Sequence, residues 1–165
     1  MTDVTLRIGV LAARDLAIAD KNGFSDPYVI VRVGKSKYQT PVISKNLNPV
    51  WNQVFDHRLS STNIPVAITA TVWDDDSFGR DFLGEVTIPM RRLFDRNSGG
   101  GNDGIPRQYD DPRNLPAAYT LQKKTAKSNV KGDIVLKFGF SNTPDRSDDD
   151  WIYFWEQYTS QAGAV

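Results

Sequence analysis

The sequence contains no cysteine and a single histidine among its 165 residues. Without cysteine there are no disulfides, no cysteine-based zinc sites and no thiol nucleophile. A net charge of either sign is also lacking, because 20 lysine and arginine residues balance 20 aspartate and glutamate residues. This balance excludes nucleic-acid binding through an overall positive field, so any electrostatic function has to come from local clusters.

Long hydrophobic runs are missing as well. Typical runs are as short as Val29-Ile30-Val31, far below the roughly 18 residues that a membrane-spanning helix needs. The first residues also lack the basic and then apolar pattern of a signal peptide. We therefore expect a protein that is soluble when made. Its 39% hydrophobic and 24% charged residues are typical of one globular domain.

Short segments rich in β-branched and aromatic residues are present throughout, separated by Gly, Asn, Asp and Pro. Apolar residues recur at every second position in Leu6, Ile8 and Val10, and again from Ile134 to Phe140, which predicts core-facing sides of strands. Eight strands in one domain of this size predict an all-β fold, an antiparallel β-sandwich. The predicted strands are residues 6–11, 27–33, 38–43, 51–59, 66–73, 83–89, 118–122 and 133–140.

The chain divides into a predicted sandwich domain, residues 1–143, and a tail, residues 144–165. Ser147 and the three aspartates after it have the spacing of a capping box in front of an aromatic run, which predicts a short helix. The aromatic face from Trp151 to Tyr158 either packs on the sandwich or docks a protein partner. Residues 95–114 contain three consecutive glycines and no strand pattern, so they predict a long mobile excursion.

An acidic run follows the fifth predicted strand. Side chains alternate along an extended chain, so Asp74 and Asp76 project to one side and Asp75 to the other. Asp81 can return to the first two because Gly79 permits a reversal of the chain. We therefore predict a loop that gathers three carboxylates.

A second acidic pair, Asp20 and Asp26, flanks a glycine-containing turn between the first two strands, and Pro27 fixes the exit from that turn. If both loops lie at the same end of the sandwich, five carboxylates converge. Like charges about 4 Å apart repel by about 4 kcal/mol at the effective dielectric of a protein surface. A cation is then expected among them. The alternatives are that Asp26 only caps a turn and that residues 74–76 form a solvated acidic loop.

Oxygen ligands without histidine or cysteine favour Ca²⁺ over zinc or copper, and flexible loops favour it over Mg²⁺. Five carboxylates offer about ten oxygens, whereas two Ca²⁺ ions take roughly twelve to sixteen. Backbone carbonyls of Ala19 and Asp75 would add ligands and still leave positions for water or a phosphate oxygen. The sequence thus predicts two or more Ca²⁺ ions in a site that a lipid headgroup can complete.

These segments resemble the C2 domain family over residues 6–140, through the motifs LRIGVLAARDL, DKNGFSDPYV, SKNLNPVWNQVF, VWDDDSFGRDFLGEV and GDIVLKFGF. Only one strand precedes the first acidic loop, which resembles the type II topology of the family. The segments are also similar to the C2 domains of fungal phosphatidylserine decarboxylases and of HECT-type ubiquitin ligases. The resemblance implies that calcium binds to Asp20, Asp26, Asp74, Asp76 and Asp81.

The resemblance also implies a partner, an anionic phospholipid membrane with phosphatidylserine as the expected lipid. Phe24 and Phe78 lie at loop tips and are expected to enter the membrane interface, although Phe24 can instead fold back under its own loop. The expected headgroup contacts are Lys21, Asn22, Lys45 and Arg80. Some C2 domains that bind inositol phospholipids carry lysines where this chain has Ile30, Gln39 and Pro41, which argues against that specificity.

No nucleophile elbow or Walker loop is present, and a catalytic role for His57 is not expected. We therefore expect a module that is not an enzyme by itself, although it can belong to a larger enzyme such as a phosphatidylserine decarboxylase. The alternatives are a protein-interaction adaptor with structural calcium and a metal-dependent hydrolase. The expected state is a cytoplasmic monomer in reversible association with membranes.

Overall fold

The computed structural model of the chain describes residues 4–95 and 103–162. Within these ranges the chain forms eight strands, one 3₁₀ turn at Met90–Arg92 and one helix, α1 (Asp148–Ala162). The strands are β1 (Val4–Arg14), β2 (Pro27–Val33), β3 (Ser36–Gln39), β4 (Val50–Leu59), β5 (Ala67–Asp76), β6 (Gly79–Pro89), β7 (Ala117–Thr120) and β8 (Asp133–Ser141).

The strands form two antiparallel four-stranded sheets, in the orders β4-β1-β8-β7 and β3-β2-β5-β6. This arrangement confirms the predicted eight-stranded sandwich. The first and last strands are neighbours, with Thr5 opposite Ser141 at one end and Arg14 opposite Asp133 at the other. Among the described residues a single strand, β1, precedes the first acidic loop, as in the predicted type II arrangement.

One hydrophobic core lies between the sheets. Leu6, Ile8 and Val10 are at most 1% exposed, so the predicted alternation in β1 is confirmed. The facing sheet contributes residues of β2 and β5, such as Val29 paired with Val72, and both of these side chains are fully buried. Burial of such side chains contributes about 1.5 to 3 kcal/mol each relative to exposure.

The structure differs from the prediction around the acidic run and at the end of β3. The predicted loop between residues 73 and 83 is instead a continuous hairpin, in which β5 extends to Asp76 and β6 begins at Gly79. Backbone pairing with β6 keeps the acidic residues extended, whereas their composition alone is typical of a loop. The third strand ends at Gln39 rather than at Ile43, since Pro41 has no N–H to continue a ladder.

The predicted mobile excursion is wrong for its second part, residues 103–114, while residues 96–102 lie outside the described part of the chain. The Tyr109 N–H donates to the Phe140 carbonyl over 2.8 Å, and the Phe140 N–H donates to the Arg107 carbonyl over 3.0 Å. Gly139 makes this close crossing possible, because a Cβ there would collide with the Tyr109 backbone. The segment therefore packs against β8.

Helix α1 packs on the sandwich through its aromatic face. The Ser147 Oγ accepts the Asp150 N–H over 3.2 Å, so Ser147 caps the helix as predicted. Trp151 stacks on Phe140 with ring centroids 4.4 Å apart and an interplanar angle of 7°. Since Trp151, Trp155 and Tyr158 are at most 5% exposed, this face belongs to the common core and is not open to a partner.

Candidate metal centre

Four connections of the described chain meet at one end of the sandwich, which we call the apex: residues 15–26, 40–49, 77–78 and 121–132. Strand pairing fixes this meeting. Asp74 near the end of β5 lies opposite Pro27 at the start of β2, and also opposite Asp81 on β6. The first acidic loop and the acidic β5–β6 hairpin therefore lie at the same end of the sheet.

The first acidic loop is held by its own polar groups. The fully buried Ser25 Oγ accepts the Ala19 N–H and donates to the Ala17 carbonyl, each over 2.9 Å. The Asp20 N–H donates to the Phe24 carbonyl over 2.8 Å, and Gly23 takes the positive φ of 87° that this tight turn needs. The turn thereby fixes the positions of Asp20 and Asp26 at its two ends.

The second acidic segment is the tip of the β5–β6 hairpin. The Phe78 N–H donates to Asp76 Oδ1 over 3.2 Å, and Gly79 follows with a φ of 141°. Alternation along β5 leaves Asp74 fully buried, while Asp75 and Asp76 at the end of the strand are exposed. The reversal places Asp81 beside Asp74 and Asp76.

The five aspartates form two overlapping groups at the apex. Asp20, Asp26 and Asp74 each present a carboxylate oxygen, and the three oxygens lie within 4.8 Å of one another; the same holds for Asp74, Asp76 and Asp81. Asp74 belongs to both groups. Two oxygen-rich clusters that share one carboxylate offer the ligand type that hard cations such as Ca²⁺ prefer.

Asp74 is the most unusual member of the set. Its Oδ1 accepts the Asp26 N–H over 2.6 Å, whereas its Oδ2 is buried without a hydrogen-bond partner among the described residues. Burial and the negative charges of Asp20 and Asp26 together raise the pKa of Asp74 to about 6, although the Asp26 N–H opposes the shift. A buried carboxylate oxygen that has no donor is the local chemistry that a cation satisfies.

The connection between β3 and β4 is tied to the first acidic loop. The Lys45 N–H donates to Asp26 Oδ1 over 2.7 Å, and the Asn46 N–H donates to the Ser25 carbonyl over 2.9 Å. The Asp75 N–H donates to the Asp26 carbonyl over 2.9 Å, so Asp26 joins three segments of the apex. The roles of the Ala19 and Asp75 carbonyls as metal ligands stay predictions.

The predicted membrane-contact residues lie on the outside of the apex. Phe78 is completely exposed, and Phe24 is 43% exposed, so neither ring folds back into the core. Lys21, Asn22, Lys45 and Arg80 are the polar members of the set, and none of them is buried. The Asn22 Oδ1 also accepts the Phe24 N–H over 3.1 Å, so this residue shapes the loop that presents Phe24.

Residues of the β7–β8 connection at the apex were not predicted from the sequence. The Lys124 ammonium lies 5.2 Å from the centre of the Trp73 ring, on which the Arg80 guanidinium also lies, at 3.9 Å. Four lysines without an acidic residue in residues 121–132 were the available signal. This signal points to the acidic site only once the strand order is known.

Comparison with known proteins agrees with this geometry. The family model of the C2 domain matches residues 4–103, and the chain belongs to that family. A C2 and GRAM domain-containing protein of Arabidopsis thaliana is 36% identical over 138 residues, which are 82% of this chain and 12% of that protein. The mouse multiple C2 and transmembrane domain-containing protein 2 is 34% identical over 140 residues, which are 84% and 14% of the two chains.

Solved C2 structures show the same fold. The calcium-bound pair of C2 domains from extended synaptotagmin 2 is 26% identical to the chain, with a TM-score of 0.59, and the match covers 83% of this chain and 45% of that one. A C2 domain of plant extended synaptotagmin 1 matches with a TM-score of 0.62 at 18% identity, over 86% and 97% of the two chains.

The family assignment defines the chain as a C2 domain, a membrane- and lipid-binding module that is not by itself an enzyme. Within the described ranges, no helix has the length and apolar character needed to cross a membrane. The chain spans about one seventh or less of the two curated relatives described above. The activities of those whole proteins therefore do not follow from the match.

Proposed function

We propose that the chain binds anionic phospholipid membranes in a calcium-dependent manner through its apex. The observation that carries this proposal is the buried Asp74, whose carboxylate is shared by two aspartate groups and keeps one oxygen without a donor. Calcium would be held by Asp20 and Asp26 on one side of Asp74 and by Asp76 and Asp81 on the other. Carbonyls of Ala19 and Asp75 would complete the protein ligands.

Charge reversal at the apex explains the calcium dependence. Without metal, the five aspartates repel an anionic bilayer. Two bound Ca²⁺ ions would change the local charge by four units and offer open coordination positions to phosphate or carboxylate oxygens of the lipid. The protein ligands are already assembled by backbone hydrogen bonds, so this switch needs no large refolding.

Apolar and basic residues around the aspartates supply the remaining affinity. Phe78 and Phe24 would enter the bilayer interface, where burial of an aromatic side chain contributes about 1.5 to 3 kcal/mol. Lys21, Lys45 and Arg80 would contact anionic headgroups at about 1 kcal/mol each near the surface. Phosphatidylserine fits this chemistry, because its carboxylate and phosphate both bind cations. We expect a monomer that associates reversibly with the cytoplasmic surface of a membrane.

The adaptor hypothesis depends on an exposed aromatic face of α1 for docking a protein partner. The aromatic face of α1 that a partner would need is buried against Phe140 and Phe94. Of the aromatic side chains in the helix, Tyr153 is directed outward and is 66% exposed. The described residues favour the membrane interpretation over docking through the tail.

Sedimentation with phosphatidylserine-containing liposomes tests the proposal. Wild-type protein should sediment with vesicles much more strongly in calcium than with chelator. The double change Asp74→Asn and Asp76→Asn should abolish the calcium response while preserving the fold, because the new amide at the buried position retains an oxygen for the Asp26 N–H. Asp75→Asn is the matched control, since its side chain lies on the other side of β5. Equal sedimentation with and without calcium would refute the proposal.

A further inference from the structure

The connection between β7 and β8, residues 121–132, is the most basic segment of the apex. It contains Lys123, Lys124, Lys127 and Lys131 and no acidic residue. All four lysine side chains are exposed. In a chain whose formal net charge is zero, this is a strong local concentration of positive charge.

Strand pairing holds this lysine segment next to the acidic cluster. Asp133, which follows the segment, lies opposite both Thr120 and Arg14, and Arg14 leads into the first acidic loop. Gly132 packs so closely on the Arg14 and Asp15 carbonyls that no side chain fits there. The segment is thereby fixed at the end of the sandwich that carries the aspartates.

The other side of the segment is attached to the acidic hairpin. Gln122 and Glu85 exchange two backbone hydrogen bonds, of 2.8 and 3.1 Å. Two residues further on, the Lys124 ammonium lies 5.0 Å from the centre of the Phe82 ring and 5.2 Å from that of Trp73. Arg80 covers Trp73 as well, at 3.9 Å. Two cations are therefore positioned beside the residue that precedes Asp74.

These charges have no neutralising partner in the described structure. Among residues 4–95 and 103–162, no carboxylate lies within ion-pair distance of Lys123, Lys124 or Lys127. Arg80 contacts an aromatic ring instead of an acid. Such exposed and unpaired cations attract a polyanionic surface over a distance set by the salt concentration.

We propose that Lys123, Lys124 and Lys127, which lie beside Arg80, form a second membrane contact, which binds anionic headgroups without a metal ion. This inference rests on the proposed membrane binding and adds a calcium-independent attraction beside the calcium-dependent one. A bilayer fits better than a soluble polyanion, because the completely exposed Phe78 projects from the same apex. The lysine surface would lower the calcium concentration needed for half-maximal binding.

The test compares three triple variants on phosphatidylcholine vesicles with and without phosphatidylserine. Replacing Lys123, Lys124 and Lys127 with Gln should weaken binding to the anionic vesicles by about 100-fold at low salt, since each lysine contributes about fivefold. The same three lysines changed to Arg should keep the affinity. The matched control is K35Q, K37Q and R91Q, which removes three charges at the opposite end of the sandwich. Calcium affinity in the absence of vesicles should not fall in the Gln variant, because removal of nearby positive charges does not weaken cation binding, so a loss of vesicle binding would not come from a weaker metal site.

The inference would be overturned by unchanged binding of the Gln variant, by equal losses in the Gln and control variants, or by an equal loss in the Arg variant. Retention of wild-type protein on poly-glutamate as strong as on vesicles would assign the surface to an acidic protein and also overturn it. If the Asp74 and Asp76 double variant loses its calcium response while the lysine variant binds like wild type, the proposed function stands and the lysine surface is refuted. If the lysine variant loses binding while wild-type protein shows no calcium response, the lysine surface stands and the proposed function is refuted.

Discussion

The Asp26 N–H donates to Asp74 Oδ1 over 2.6 Å, and this bond joins the first acidic loop to the acidic hairpin through two residues that are 48 positions apart in the chain. The other oxygen of the same carboxylate, Asp74 Oδ2, is buried without a donor. The fold thus assembles a set of negative charges that oppose one another. This repulsion lowers the stability of the metal-free domain, and a substitution at Asp74 relieves it.

Asp74→Asn should stabilise the protein in chelator. The change keeps the acceptor for the Asp26 N–H and removes a buried negative charge, so the free energy of unfolding should rise by about 1 to 2 kcal/mol. In calcium the wild type should be more stable than the variant, because only the wild type gains stability from bound metal. Urea denaturation with chelator and with calcium measures both effects. A lower stability of the variant in chelator would contradict the account.

Phe78→Ala should weaken membrane binding without affecting the fold. The side chain is completely exposed, so its removal costs the free protein almost nothing. On vesicles the loss of one inserted ring should lower affinity by about 10- to 100-fold. Val66→Ala is the control, since Val66 is 62% exposed at the opposite end of the sandwich. Fluorescence-detected vesicle titration in calcium should separate the two variants.

Trp151→Ala should destabilise the whole domain. Removal of the ring that stacks on Phe140 leaves a cavity in the core, and such changes cost about 3 to 5 kcal/mol. Tyr153→Ala, on the outer face of the same helix, should change stability by less than about 0.5 kcal/mol. Thermal unfolding followed by circular dichroism distinguishes them. Comparable melting temperatures for the two variants would show that α1 does not belong to the cooperative unit.

His57 should make the domain less stable in mild acid. Burial lowers its pKa from 6.5, and Tyr38 Oη lies 2.7 Å from His57 Nδ1, where the hydroxyl can donate only while that nitrogen is unprotonated. The unfolded chain therefore binds a proton more readily than the folded one, and stability is lost as the pH falls below about 6.5. His57→Gln should lose less stability between pH 7.5 and 5. Subtracting the two plots of unfolding free energy against pH removes the contribution of the aspartates, because both proteins contain them. Parallel plots would exclude His57 as the cause.

The limits of a strand could be predicted where local sequence signals mark both of its ends. Strand β2 has the predicted limits because Asp26-Pro27 begins it and Gly34, with a positive φ of 58°, ends it. The acidic hairpin was mistaken for a loop, since its extended form depends on pairing between β5 and β6. Local composition does not encode a pairing partner.

Residues 103–114 illustrate a second reason for wrong predictions. Arg107 is only 3% exposed and pairs with Asp103 over 2.7 Å and with Asp148 over 3.4 Å. A buried arginine in a stretch without a strand pattern is unexpected, because its partner Asp148 is 41 residues away. The aspartates that form the candidate site could be named from the sequence, since their spacing carries the family pattern. That Asp74 belongs to both aspartate groups became evident only from the structure.

Adjacent placement of β1 and β8 has a practical consequence. Thr5 and Ser141 are side by side, at the end of the sandwich away from Asp76. A fluorescent protein fused before β1 would therefore lie at the end of the sandwich opposite a bound bilayer. The loop tips at the apex would stay accessible. Single-molecule tracking on supported bilayers could follow the domain through such a label without obstructing the surface being measured.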